Sequence, residues 1–93
     1  MRFIVKDKVY DTDKAELLCT FSKQWKSETI LGTLYPYRDT DLYKTAKGAY
    51  FITSIANNGK NYIKVVEEIT AKYYLMNNDY DKYCEMFGPL EEA

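Results

Sequence analysis

The sequence predicts an α+β domain: an antiparallel β-sheet of about four to five strands, built from hairpins and a meander, then two short C-terminal helices on one face. Three observations carry this. Apolar residues alternate with period two through most of residues 1–66, as half-buried strands require. Glycines at 48 and 59 sit in turn contexts that divide this stretch into hairpins. From Val66 onward the spacing changes to three and four, the period of a helix. Strands first and helices last is the α+β order. The 93 residues read as one small domain, with 1–66 mainly β, 67–88 helical and 89–93 a tail. A chain of this length buries only about 60–65% of its unfolded surface, so each large aromatic carries weight.

The elements follow in order. Arg2-Phe3-Ile4-Val5-Lys6 alternates, Asp7 and Lys8 make a polar turn, and Val9-Tyr10 returns, a short hairpin. Asp11 or Thr12 offers a side-chain cap over a single turn ending at Ala15. Glu16 to Ser22 suits a strand, with Leu17, Cys19 and Phe21 on one face and Leu18 and Thr20 on the other; a helix over 13–19 is the rival reading. Lys23 to Asp41 reads as a loop followed by an irregular edge strand, because Pro36 denies a ladder hydrogen bond. Thr40–Thr45 and Ala49–Ile55 flank Ala46-Lys47-Gly48 as a hairpin, with Tyr43 opposite Tyr50 or Phe51. Asn57-Asn58-Gly59-Lys60 carries the signature of a primed turn, and Tyr62–Val66 returns to complete a three-stranded meander.

The helical signals are stronger. Val66, Ile69, Tyr73 and Met76 form one stripe of a helix over 66–77, with Glu67 and Glu68 favouring its first turn. Asn77-Asn78-Asp79 ends it and caps a second helix, whose buried face is Tyr80, Tyr83, Cys84 and Phe87. Gly88 and Pro89 stop that helix.

Ten tyrosines and no histidine narrow the chemistry. Histidine is the commonest general base and metal ligand near neutral pH, while tyrosine offers large apolar area with a polar tip, suited to cores and contact surfaces. Ser22, Ser27, Ser54, Cys19 and Cys84 have no recognisable activating neighbours. The carboxylate pairs Asp11/Asp13, Asp39/Asp41 and Asp79/Asp81 are better explained as turn, strand-entrance and cap residues than as metal or acid–base sites. Isolated turn glycines make no phosphate loop. The expectation is a protein without enzymatic activity, cofactor or metal.

Cys19 and Cys84, 65 positions apart, fit neither a zinc site nor a redox pair and read as reduced thiols, with a disulfide as the rival. The longest uncharged runs, such as Tyr73–Asn78, fall far short of the ~18–20 apolar residues of a membrane span. No leader segment is recognised at the N-terminus. The net charge of −1 is uneven: residues 1–59 hold nine basic against seven acidic residues, and residues 60–93 four against seven. So little excess positive charge argues against nucleic acid as the main partner.

Trp25, Tyr35, Tyr37 and Arg38 cluster in the least regular stretch, beside Asp39 and Asp41. Trp, Tyr and Arg dominate interface hot spots, so these six residues are the candidate partner-binding surface, with a plug over one end of the sheet as the alternative. Tyr73, Tyr80 and Tyr83 read as core. Tyr50 and Tyr62 can face either side, and an aromatic sheet face near Lys44 and Lys64 would offer weak stacking to single-stranded nucleic acid. Tyr35-Pro36-Tyr37 on an edge would also allow pairing with a second copy.

One resemblance spans most of the chain. Tyr10-Asp11-Thr12 with Ala15, then Leu42-Tyr43-Lys44-Thr45-Ala46-Lys47-Gly48-Ala49-Tyr50-Phe51, a strand, an amphipathic helix and the closing Tyr83–Phe87-Gly88 resemble a family of short proteins encoded on phages and mobile elements of Firmicutes. Where that pattern has a glycine-rich loop after the second hairpin strand, this chain reads Thr53-Ser54-Ile55-Ala56. The resemblance implies a protein-binding inhibitor in the cytoplasm of a bacterial host. Its most specific form is an anti-CRISPR protein occupying a nucleic-acid-facing or mobile surface of a Cas9-type effector.

Overall fold

Eight strands precede two helices in the computed structural model, which describes residues 1–56 and 59–93. The strands are β1 (Arg2–Val5), β2 (Lys8–Asp11), β3 (Glu16–Gln24), β4 (Ser27–Thr29), β5 (Gly32–Leu34), β6 (Tyr37–Lys44), β7 (Tyr50–Ser54) and β8 (Tyr62–Val66); the helices are α1 (Glu68–Asn78) and α2 (Tyr80–Phe87). The main sheet is antiparallel in the order β3-β6-β7-β8, and β1-β2 and β4-β5 are separate hairpins. This is an α+β fold with both helices after the strands. The expected primed turn at Asn57-Asn58 lies outside the described residues, but the meander β6-β7-β8 is in place.

The N-terminal hairpin closes through Lys6 and Asp7, both at positive φ (49° and 65°), between the paired Val5 and Lys8. Two left-handed residues in a two-residue loop make a primed turn, whose twist matches the strands. Asp11 caps the turn beyond, accepting from the Asp13 amide at 2.9 Å, while the Ala15 amide reaches the Asp11 carbonyl at 3.0 Å. Gly48, at φ +89°, closes the next hairpin, where Tyr43 pairs with Phe51.

β3 is a strand, and the rival helix is absent. Its register shifts between Leu17 and Cys19, and that bulge breaks the expected alternation. Leu18, Cys19 and Phe21 are buried and Leu17 is half exposed, because the extra residue flips the side chains before it.

β7 is buried along its whole length because both faces are covered. On one face Leu42, Tyr50 and Ile52 pack with Leu18, Cys19, Phe21 and Trp25 against Ala71 and Leu75 of α1 and Tyr83 of α2. On the other, Phe51 lies between Tyr43, stacked at 5.1 Å, and Tyr10 of the N-terminal hairpin, edge-on at 5.4 Å. Hence Tyr50 faces the helices and Phe51 the hairpin. Burial, and the charges of Asp79 and Asp41, push the Cys19 thiol up to about 11; it stays protonated at neutral pH, and both cysteines are free thiols.

α1 turns a different face inward than its apolar stripe suggests. Ile69 and Tyr73 are exposed, and Ala71 and Leu75 are buried, with Tyr74 stacked on Phe21 at 4.6 Å. A small residue at 71 admits the helix close to the sheet, which a stripe drawn through the largest residues overlooks. In α2, Tyr83 is buried, but Tyr80 is exposed and its hydroxyl accepts from the Leu90 amide. Asp79 caps α2 by accepting from the Lys82 amide, and Gly88 at φ +85° ends it. Among the described residues no helix is long and apolar enough to cross a membrane.

The Thr53 hydroxyl on β7 is fully buried and has no hydrogen-bond partner among the described residues. Thr53→Val keeps the shape and removes the desolvated hydroxyl, so chemical denaturation should show a gain of about 1 kcal/mol.

A candidate partner-binding arm

β3 and β6 form a hairpin much longer than the sheet they belong to. Beyond Gln24↔Tyr37 the two chains stay together through the Trp25 amide, which donates to the Pro36 carbonyl at 3.0 Å, and the Gln24 side chain, which donates to the Tyr35 carbonyl at 3.1 Å. They pair again as β4 and β5, Ser27↔Leu34 to Thr29↔Gly32. Of residues 23–41, expected as a loop and an irregular edge strand, Lys23-Gln24 and Tyr37–Asp41 are paired strand of the main sheet and the stretch between them is an arm that prolongs the β3-β6 hairpin. Tyr37 begins β6, which runs between β3 and β7, so Pro36 marks the break between arm and sheet and the edge strands are β3 and β8. Among the described residues the β6–β7 pairing covers only Asp41–Lys44, so Tyr37 has a strand partner on one side alone and keeps the open edge that pairing with a second copy would use. The radius of gyration, 14.5 Å, and long axis of 48 Å exceed the ~12 Å radius of a compact chain of this length, as a projecting arm requires.

The tip is Ile30-Leu31, held by Thr29, whose hydroxyl donates to the Gly32 carbonyl at 2.7 Å and accepts from the Leu31 amide at 3.2 Å. Gly32 at φ +123° follows, while among the described residues Lys6 and Asp7 are the non-glycine positions with positive φ. Ile30 and Leu31 thus occupy an ordinary turn that asks nothing of their side chains, yet they are 104% and 95% exposed. Leu34, Tyr35 and Tyr37 continue the exposed apolar surface down one strand. Thr33 to Glu28 (2.8 Å) and Lys26 to Glu28 (3.3 Å) supply its polar bonds.

The six residues singled out in the sequence divide into three places. Tyr35 and Tyr37 are exposed at the root of the arm, and Tyr37 shares a face of β6 with Asp39 and Asp41. Asp39 is exposed, and Asp41 accepts from the Thr20 hydroxyl across the strand at 2.8 Å. Trp25 and Arg38 lie on the opposite face. Trp25 is only 7% exposed: its indole N–H donates to the Thr40 hydroxyl at 2.9 Å and its ring stacks on Tyr62 at 5.5 Å. It closes one end of the core, where the expectation had it exposed for contact. Arg38 lies over the same Tyr62 ring, 4.6 Å from its centre.

Ile30, Leu31 and Leu34 were missed. An apolar pair beside Gly32, where turn residues are normally polar, was the available signal. At the opposite end of the molecule an open cleft of about 630 Å³ lies between the N-terminal hairpin and the 45–49 turn. Lys8, Lys14, Lys47, Tyr10 and Thr45 supply its polar groups, a set without a carboxylate or thiol, and the Thr45 hydroxyl is engaged by the Ala49 amide. Among the described residues no three His, Cys, Asp or Glu side chains converge as a metal site. Comparisons with family models, with curated proteins and with solved structures find no match to this chain.

Proposed function

We propose that this chain is a non-enzymatic protein-binding module that engages its partner by seating the tip of the arm in an apolar pocket. The exposed Ile30-Leu31 pair carries this reading. The turn does not need them, and burying each in a partner contributes roughly 1.5–3 kcal/mol. Tyr35 and Tyr37 flank the tip as rigid amphipathic contacts, and Asp39 gives the root of the arm an acidic rim. The proposal that catalysis is not its role rests on residues in place: a buried, protonated Cys19 and a cleft whose polar side chains are lysines, a tyrosine and an engaged threonine.

The resemblance to short phage and mobile-element proteins supplies the most specific form of this reading, an inhibitor of a Cas9-type effector in the cytoplasm of a bacterial host. Titrating the chain into guide-loaded and guide-free effectors, with complex formation and target cleavage as readouts, tests it. A stoichiometric complex with loss of cleavage is the expected result. Absence of both across several orthologous effectors removes the anti-CRISPR reading and leaves the arm to be tested against other proteins.

A further inference from the structure

Four basic side chains gather on the helix-side face of the sheet at the root of the arm. Lys23 of β3 lies 4.9 Å from the Trp25 ring centre, Arg38 of β6 lies 4.6 Å from that of Tyr62, and Lys60, just before β8, reaches 5.7 Å from Tyr62. Lys64 of β8 is close enough to Lys23 that its charge, after burial, helps hold the Lys23 ammonium below its ordinary value. None of the four makes an ion pair among the described residues. The cluster runs from one edge strand to the other, roughly 14 Å at ~4.8 Å per strand. Arg38 is fixed before any ligand arrives, over the Tyr62 ring and donating to the Lys60 carbonyl at 2.9 Å. Uncompensated like charges held this near one another destabilise the free protein, and an anion spanning the cluster relieves that.

We propose that Lys23, Arg38, Lys60 and Lys64 form a phosphate-binding row for the backbone of a single-stranded nucleic acid, distinct from the arm. A row of cations unbroken by an acidic partner suits a polymer with one charge per unit. Trp25 is buried and Tyr62 is already stacked on it and covered by Arg38, so the strand is held by its phosphates and not by base stacking on these rings. Binding is accordingly sequence-tolerant and salt-dependent. The whole-chain charge of −1 concealed this site because the nearest acidic residues in sequence, Asp39 and Asp41, lie on the opposite face of β6 from Arg38.

Fluorescence anisotropy with a labelled oligothymidylate over a series of salt concentrations tests the row. Four phosphate contacts give a slope of log K against log salt of about −2.8, and Lys60→Gln with Lys64→Gln should reduce it to about −1.4 while weakening binding about tenfold or more. Both residues are exposed and their removal relieves like-charge repulsion, so the thermal midpoint should not fall below that of the wild type. Replacing the arm tip, Ile30→Asn with Leu31→Gly, should leave oligonucleotide binding unchanged, which separates this site from the protein-binding reading. A salt-independent signal, an unaltered slope in the double lysine variant, or equal competition by polyglutamate would overturn the proposal, the last in favour of an acidic protein surface.

Discussion

Trp25→Ala should destabilise the fold by about 3–5 kcal/mol, the cost of truncating a buried aromatic. That is a large share of the roughly 5–14 kcal/mol expected for a chain of this size, and the thermal midpoint should fall by at least about 12 °C. Three losses combine: the packing that closes the core at the root of the arm, the stack on Tyr62, and the indole hydrogen bond to Thr40. Thr40 is fully buried, and its hydroxyl retains only its bond to the Arg38 carbonyl. Trp25→Phe separates these terms by keeping a ring against Tyr62 while deleting the N–H, and should cost less than the alanine variant but at least about 1 kcal/mol. Urea denaturation of both variants measures the difference. Trp25 is the only tryptophan, so wild-type fluorescence offers a second check: emission should be blue-shifted and poorly quenched by iodide until unfolding. A Trp25→Ala variant as stable as wild type, with red-shifted wild-type emission, would return this residue to the contact surface.

Trp25 also shows where sequence reading stops. Elements defined by local chemistry were legible: the N-terminal hairpin, whose turn lies at Lys6-Asp7, one residue before the expected Asp7-Lys8, the Gly48 turn, Asp79 as a cap and Gly88 as a stop each follow from what one or two residues must do to their own backbone. The order of strands and helices followed from period alone. Decisions that depend on distant partners were not legible. Period two cannot reveal a bulge, so the face of Leu17 was misassigned; a stripe of large residues cannot reveal that α1 approaches the sheet through Ala71 and Leu75. Pro36 was rightly read as a break in a ladder, yet the break separates an arm from an interior strand. Of the candidate site, the exposure of Tyr35 and Tyr37 was legible because aromatic residues in an irregular stretch beside a proline have no core face to fill. Ile30 and Leu31 were passed over because β-branched and aliphatic residues suggest a buried strand until the turn places them at its tip.

That tip sets the second large effect. Exchanging Ile30-Leu31 for Asn-Gly should leave stability within about 1 kcal/mol, since both side chains are already fully exposed and a turn without positive φ at these two positions accepts most residues, asparagine and glycine among them. Partner binding should behave oppositely. Losing two side chains that each contribute roughly 1.5–3 kcal/mol on burial weakens a complex by about 10²- to 10⁴-fold. Tyr35→Ser with Tyr37→Ser should cost less, because both rings are already partly covered by the arm's root in the free protein, at 58% and 71% exposed. Titration of wild-type and variant chains against the guide-loaded effector, with circular dichroism melts run in parallel, yields both quantities from the same preparations. Unchanged inhibition by the Asn-Gly variant would show that the arm is not the contact. Wild-type protein that partitions onto phosphatidylcholine vesicles through Ile30 and Leu31, and ignores the effector, would instead make the tip a lipid anchor. The protein reading is favoured because Glu28 and Asp39, on the arm and at its root, would be drawn towards a low-dielectric surface on insertion, where an ionised carboxylate is heavily penalised.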